Sequence, residues 1–145
     1  MDSRRWTNPS QPQTMQIAVF LLYFGAVFTL LLGSESDNVV TAMFFKLGID
    51  FVWLDDIIRL LIGAGAAVAG FGIANEKKQG YLLGLVVAAA PLVARLFLML
   101  TPTMNLIGRV SLTDFDLIAL MFDVALFALL VHPQSRSYER IWFKK

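Results

Sequence analysis

From Met15 to Gly33 the chain reads MQIAVFLLYFGAVFTLLLG, without a charged residue. Wound as a helix at 1.5 Å per residue, a run of about 20 residues crosses a ~30 Å hydrocarbon core. A cleaved signal peptide is the competing reading. The run exceeds the usual ~7–15 apolar residues of such a peptide and no A-x-A-like site follows, so we read a retained helix.

Three more apolar blocks follow. Phe51 to Ala74 contains Asp55, Asp56 and Arg59; Gly80 to about Thr101 contains Arg95. Leu117 to Val131 contains Asp123 and is short, so its helix must begin near Thr113, where Thr113 and Asp116 form a T-x-x-D variant of the capping box. The pattern predicts an all-α fold, a four-helix transmembrane bundle, as a single integral membrane domain over 1–145. The spans fall at roughly 14–33, 52–74, 80–101 and 114–132, with short tails at 1–13 and 133–145. Composition agrees: 57% of the 145 residues are hydrophobic and 16% charged, against about 45–50% and about 25% in soluble domains. The absence of cysteine excludes disulfides, thiolate nucleophiles and thiolate metal sites.

The connection NEKKQ is short enough to make the second and third spans antiparallel neighbours. Asn75 suits a helix C-terminus, Gly80 the turn, and Pro133 the end of the last helix. Arg4, Arg5, Lys77, Lys78, Arg136, Arg140, Lys144 and Lys145 fall on one side of the spans, with only Lys46 and Arg109 in the other loops. The positive-inside rule then places both termini in the cytoplasm of a multi-pass protein of the cell inner (plasma) membrane. The outer side is acidic, with Glu35, Asp37, Asp50, Asp55, Asp56, Asp114 and Asp116. Its first loop holds the apolar stretch VVTAMFFKLG, too short to span. It reads as a helix capped by Ser36 or Asp37, lying in the interface or, the reading we favour, closing the bundle as a lid.

Arg59, Arg95 and Asp123 are the ionisable residues deep inside the spans. Counted from Trp53, Thr101 and Asp116, each lies ~9–10 Å below the outer boundary. Left unpaired, three such groups cost on the order of 8–10 kcal/mol, comparable with the whole stability of many domains. They are therefore expected to form one layer, Asp123 bridging to Arg95, Arg59 or both, with Asp55 and Asp56 within helical reach of Arg59. The stripes carrying the arginines also carry small residues, Gly63, Ala66 and Gly70 on one helix and Gly84, Ala88 and Pro91 on the other, which let helices approach closely. The layer reads as an ion-pair clamp or as a ligand, ion or proton site. Pro91 removes one helix hydrogen bond beside it.

The tail HPQSRSYERIWFKK mixes Tyr138 and Trp142 with Arg136, Arg140, Lys144 and Lys145. Such a segment suits contact with anionic lipid headgroups of the bilayer or with a partner protein. Nucleic-acid binding is not expected of a patch this short and tethered. His132, the one histidine, cannot by itself supply a metal or haem site.

Two stretches, GIANEKKQGYLLG (Gly72 to Gly84) and HPQSRSYERIWF (His132 to Phe143), together with NPSQPQTMQIAVFLLYF, resemble small four-helix bacterial membrane proteins without an assigned activity. The resemblance implies a bacterial inner-membrane protein and carries over no functional residue.

The sequence has no H-E-x-x-H, nucleophile–histidine pairing or phosphate-binding glycine pattern, so neither an enzyme nor a cofactor or metal is expected. An accessory or assembly protein acting through helix and tail contacts is the favoured function, with a membrane-protein partner or a homo-oligomer. The alternatives are a small transporter or channel using the charged layer, and a holin-like pore former.

Overall fold

The computed structural model describes residues 5–33, 35–101 and 114–144. Arg4, Arg109, Thr113 and Lys145 lie outside the described residues, as do the side chains of Glu35, Ser36, Asp114 and Asp116. The described residues form helices α1 (Gln13–Leu32), α2 (Glu35–Lys46), α3 (Leu54–Ala74), α4 (Lys78–Leu100), α5 (Asp114–Val131) and α6 (Pro133–Trp142). No strand occurs among them.

Three of these helices, α1, α3 and α4, are long and apolar enough to cross a membrane; α5 and α6 add a fourth if counted as one span bent by 49°. The long helices close on one another, α1 on α3, α3 on α4, α4 on α5, and α5 back on α1. Large apolar side chains face outward along them, including Leu31, Leu61, Val86 and Met121. In water so much exposed apolar surface would be a liability, whereas a bilayer accepts it. The arrangement suits a multi-pass membrane protein.

Small residues set the helix spacing. On α1 the buried face runs Met15, Ala18, Val19, Leu22, Ala26 and Thr29, the 3–4 spacing of one helical stripe. It receives α3 along Gly63 and Gly70, where an added Cβ would stand 2.6 Å from Leu30 Cγ and 2.9 Å from Tyr23 Cε1. The closest approach is between α3 and α4. A Cβ at Gly72 would stand 2.6 Å from the Cα of Gly80, and one at Gly80 2.5 Å from the Cα of Gly72. Gly80 thus serves packing inside α4 rather than the turn, because α4 already begins at Lys78. α4 runs unbroken through the buried Pro91.

The core has two parts. Met15, Leu22, Ile73, Tyr81 and Leu130 lie toward the end where the first and last described segments meet, here the tail end. Val40, Leu54, Ile58 and Ala94 lie toward the opposite, lid end. There α2 packs across α3, α4 and α5, its Val40 buried and Met43 and Phe44 packed against the same cluster. Asp37, in the first turn of α2, is buried at 1% exposure and so does not contribute to an exposed acidic face. A carboxylate there is favoured by the helix dipole.

The C-terminal tail begins with α6. Pro133 occupies the first turn of α6, and His132 caps it, Nδ1 accepting from the Gln134 N–H at 3.3 Å. Proline lacks the N–H that a first-turn residue does not need and fixes a helical φ, so the residue that stops α5 also starts α6.

Candidate functional site

The charged residues inside the spans do not all pair with one another: Arg95 and Asp123 meet, and Arg59 has other partners. Arg95 of α4 and Asp123 of α5 meet, Nη2 to Oδ2, at 3.8 Å, each side chain 14% exposed. The stripe of Gly84, Ala88, Pro91 and Arg95 is the face α4 turns inward. A Cβ at Gly84 would touch Ile73 and Leu130, so that face lies against α3 and α5. Across 3.8 Å at an effective dielectric near 20 the attraction is on the order of 4 kcal/mol. That offsets most of the ~5–7 kcal/mol that an unpaired arginine and aspartate cost in a span. The separation is an ion pair, longer than a direct hydrogen bond. Nε and Nη2 of Arg95 are buried without a hydrogen-bond partner among the described residues.

Arg59 belongs elsewhere. Its stripe on α3 faces α1, and its Nε and Nη2 donate to the carbonyls of Thr29 and Leu30 at 2.7 and 3.2 Å. These are last-turn carbonyls of α1, at the negative end of its dipole, and the Thr29 carbonyl accepts from Arg59 in addition to the Gly33 N–H at 3.2 Å. The cation is thereby met by a helix terminus rather than by Asp123. Gly33 lies against the guanidinium at φ 75°, its notional Cβ 3.7 Å from Cζ, where the chain turns from α1 to α2. Asp55 accepts from Thr41 Oγ1 at 3.1 Å, tying α2 to α3. Asp56 is exposed, and neither carboxylate pairs with Arg59.

The densest polar cluster lies at the tail end, around Glu76. α3 ends in a Schellman motif: the Lys77 N–H reaches Gly72 O at 2.9 Å and the Glu76 N–H reaches Ile73 O at 3.0 Å. The motif places Glu76 at φ 56°, the one positive φ at a non-glycine among the described residues. Glycine is the usual occupant of that position. Here the side chain has a use: Oε1 accepts from Asn8 Nδ2 at 3.0 Å and from the Tyr138 hydroxyl at 2.7 Å. The Glu76 carbonyl accepts from the Lys144 N–H at 2.9 Å, and the Lys144 carbonyl from the Lys78 N–H at 3.1 Å. One residue therefore joins the N-terminal segment, the α3–α4 turn and the C-terminal segment.

Neighbouring contacts extend the junction. Asn75 and Arg5 exchange hydrogen bonds, Arg5 N–H to Oδ1 at 2.9 Å and Nδ2 to Arg5 O at 2.7 Å. Gln11 Nε2 donates to Ile73 O at 2.6 Å, buried. Trp6 packs edge-on against Phe71, ring centres 5.2 Å apart. Ser135 donates to Leu129 O at 2.7 Å and lies 2.9 Å from the Thr14 hydroxyl. Its single hydrogen is committed to Leu129, so Thr14 donates to Ser135. Burial, and then the hydrogen bond to Glu76, push the Tyr138 hydroxyl above its ordinary pKa.

Of the tail candidates, Tyr138 points inward and Trp142 stacks beside it, ring centres 6.2 Å apart. Arg136, Arg140 and the Lys144 side chain are exposed. Sequence reasoning missed Glu76, which looked like one more polar loop residue. The available signal was its place just after a helix-ending Asn75, where a non-glycine residue needs a reason to be. Among the described residues no group of three or more His, Asp or Glu side chains could hold a metal ion. Comparison with protein-family models, curated proteins and solved structures found no match to the chain.

Proposed function

We propose that this chain is a four-span protein of the bacterial inner membrane, α5 being the fourth span, with both termini cytoplasmic. In this reading it serves as an accessory or assembly protein that presents its tail end to a membrane-protein partner. One observation carries the proposal: the Glu76 junction fixes the first segment, the α3–α4 turn and α6 as a single surface. Ordering three polar segments costs conformational entropy, and a preorganised surface lowers the cost of binding. Two open grooves, of about 520 and about 180 Å³, also lie at this end, and neither is lined by Arg95 or Asp123. Purification of the full chain in mild detergent should recover one membrane protein in stoichiometric amount. Recovery of the isolated monomer, with equal growth in its presence and absence of the tail cations, would count against the proposal.

A second reading, a small transporter or channel, is favoured by the buried Nε and Nη2 of Arg95 beside Asp123. Intramembrane ionisable groups are functional candidates by default. Asp123→Asn separates the two readings: loss of an ion or solute flux at unchanged protein level supports transport, and a fall in level without a flux change supports the accessory role. Loss of membrane potential on overexpression of the native chain would instead point to a holin-like pore.

A further inference from the structure

We propose that the groove between the start of α1 and α6 seats the headgroup of an anionic phospholipid. This goes beyond the assembly reading and does not rest on it. The groove, about 520 Å³ and open to the outside, is bordered by Gln13 of α1 and by Gln134, Ser137, Ile141 and Trp142 of α6. The four α6 residues share one helical face apart from Trp142 at its edge.

The chemistry of the border is amphiphilic. The side-chain amides of Gln13 and Gln134 make no hydrogen bond among the described residues and are exposed, so both can donate to phosphate oxygens. Ile141 and Trp142 are 73% and 57% exposed, apolar surface suited to the glycerol and upper acyl region. An acidic peptide or a nucleic acid would leave those two side chains in water, while a phospholipid covers them and supplies the anion.

The charge around the groove has one sign. Among the described residues the carboxylates at this end are Glu76 and Glu139, and both are turned inward. Glu76 accepts from Asn8 and Tyr138, and Glu139, its side chain 14% exposed, pairs with Lys78 at 3.9 Å. Arg5, Lys77, Arg136, Arg140 and Lys144 are exposed. Neither arginine lines the groove; Arg140 flanks it one turn from Ser137, and Arg136 lies toward the far side of α6. Each such cation near a membrane surface raises the local concentration of an anionic headgroup about fivefold.

The test uses the full chain with Trp6→Phe and Trp53→Phe, leaving Trp142 as its one tryptophan, in vesicles holding brominated phosphatidylglycerol or brominated phosphatidylcholine at equal mole fraction. Trp142 fluorescence should be quenched with an apparent preference for phosphatidylglycerol on the order of tenfold. Arg140→Gln should lower that preference about fivefold, bringing the two lipids to within about twofold, and Arg136→Gln, on the far side of α6, should lower it less. Gln13→Ala with Gln134→Ala, which leaves every charge in place, should lower the preference several-fold. Equal quenching by both lipids in the native background overturns the proposal, as does weak quenching by both because a protein surface covers Trp142. A glutamine double variant that keeps the full preference also overturns it, since the attraction would then be diffuse rather than seated in the groove.

Discussion

The Tyr138 hydroxyl donates to Glu76 Oε1 at 2.7 Å, joining residues 62 positions apart. The same oxygen accepts from Asn8, so one carboxylate holds both ends of the chain against the turn between α3 and α4. Removing it should loosen all three segments together. Glu76→Ala loses two charge-assisted hydrogen bonds and keeps a Cβ at positive φ, and should destabilise the tail end by about 2–3 kcal/mol. Glu76→Gly loses the same bonds but relaxes the backbone, and should be milder by about 1 kcal/mol. Amide exchange at Lys78 and Lys144, whose N–H groups are bonded across the junction, reads both effects.

The same bond gives the tail a pH dependence. Tyr138 is raised above the ordinary phenol value of 10.0 by burial and by its bond to Glu76. The folded protein therefore keeps this proton at a pH where the unfolded chain has lost it, and stability falls as pH rises. The contribution is intact below about pH 10 and disappears as pH climbs through the folded value. Exchange protection at Lys144 should drop in that alkaline range, and Tyr138→Phe should remove the drop. An unchanged alkaline profile in Tyr138→Phe would place its cause in another group.

Close packing predicts a sharp contrast between glycines. Gly72→Ala would push a methyl to 2.6 Å from the Gly80 backbone, with no flexible side chain to give way. Overpacking of this kind costs about 1–3 kcal/mol or more, and the α3–α4 hairpin must open to relieve it. Gly25→Ala meets nothing within 4 Å and should be near neutral. Thermal unfolding of the two variants in the same detergent checks the difference.

The Arg95–Asp123 pair should behave as a buried pair. Asp123→Asn leaves the guanidinium without its counter-charge and should cost about 3–5 kcal/mol. Replacing both partners with apolar residues, Arg95→Met with Asp123→Leu, should recover most of that loss, because neither charge remains to be paired. Protein level in membranes and thermal unfolding read the four corners of this cycle. A double variant less stable than either single one would show that the pair is not the reason these residues are tolerated in the spans.

How much of this could be read from residues alone depends on the range of the interaction. The three clear spans follow from long, predominantly apolar runs, a local property, and the small-residue stripes follow from helical spacing. The depth of Arg59 could be counted, but its partner could not. Depth says nothing about azimuth, and Gly63 and Gly70 turn that stripe toward α1, where Thr29 and Leu30 offer carbonyls that no side-chain inventory records. α6 was hidden because Pro133 reads equally as a stop and as a first-turn residue. Glu76 was hidden because its partners, Asn8 and Tyr138, come from opposite ends of the chain.

The central claim is that α6 is docked against the start of α1, making the tail end one fixed surface. The chain has no cysteine, so Thr14→Cys with Ser135→Cys introduces its only thiols, at hydroxyls 2.9 Å apart. A disulfide needs its sulfurs ~2.05 Å apart, a small adjustment from that position. Mild oxidation in native membranes should close an intramolecular disulfide in nearly all molecules, while Thr14→Cys with the outward-facing Arg136→Cys stays reduced. If both pairs cross-link equally, or neither does, α6 is not held where this account places it.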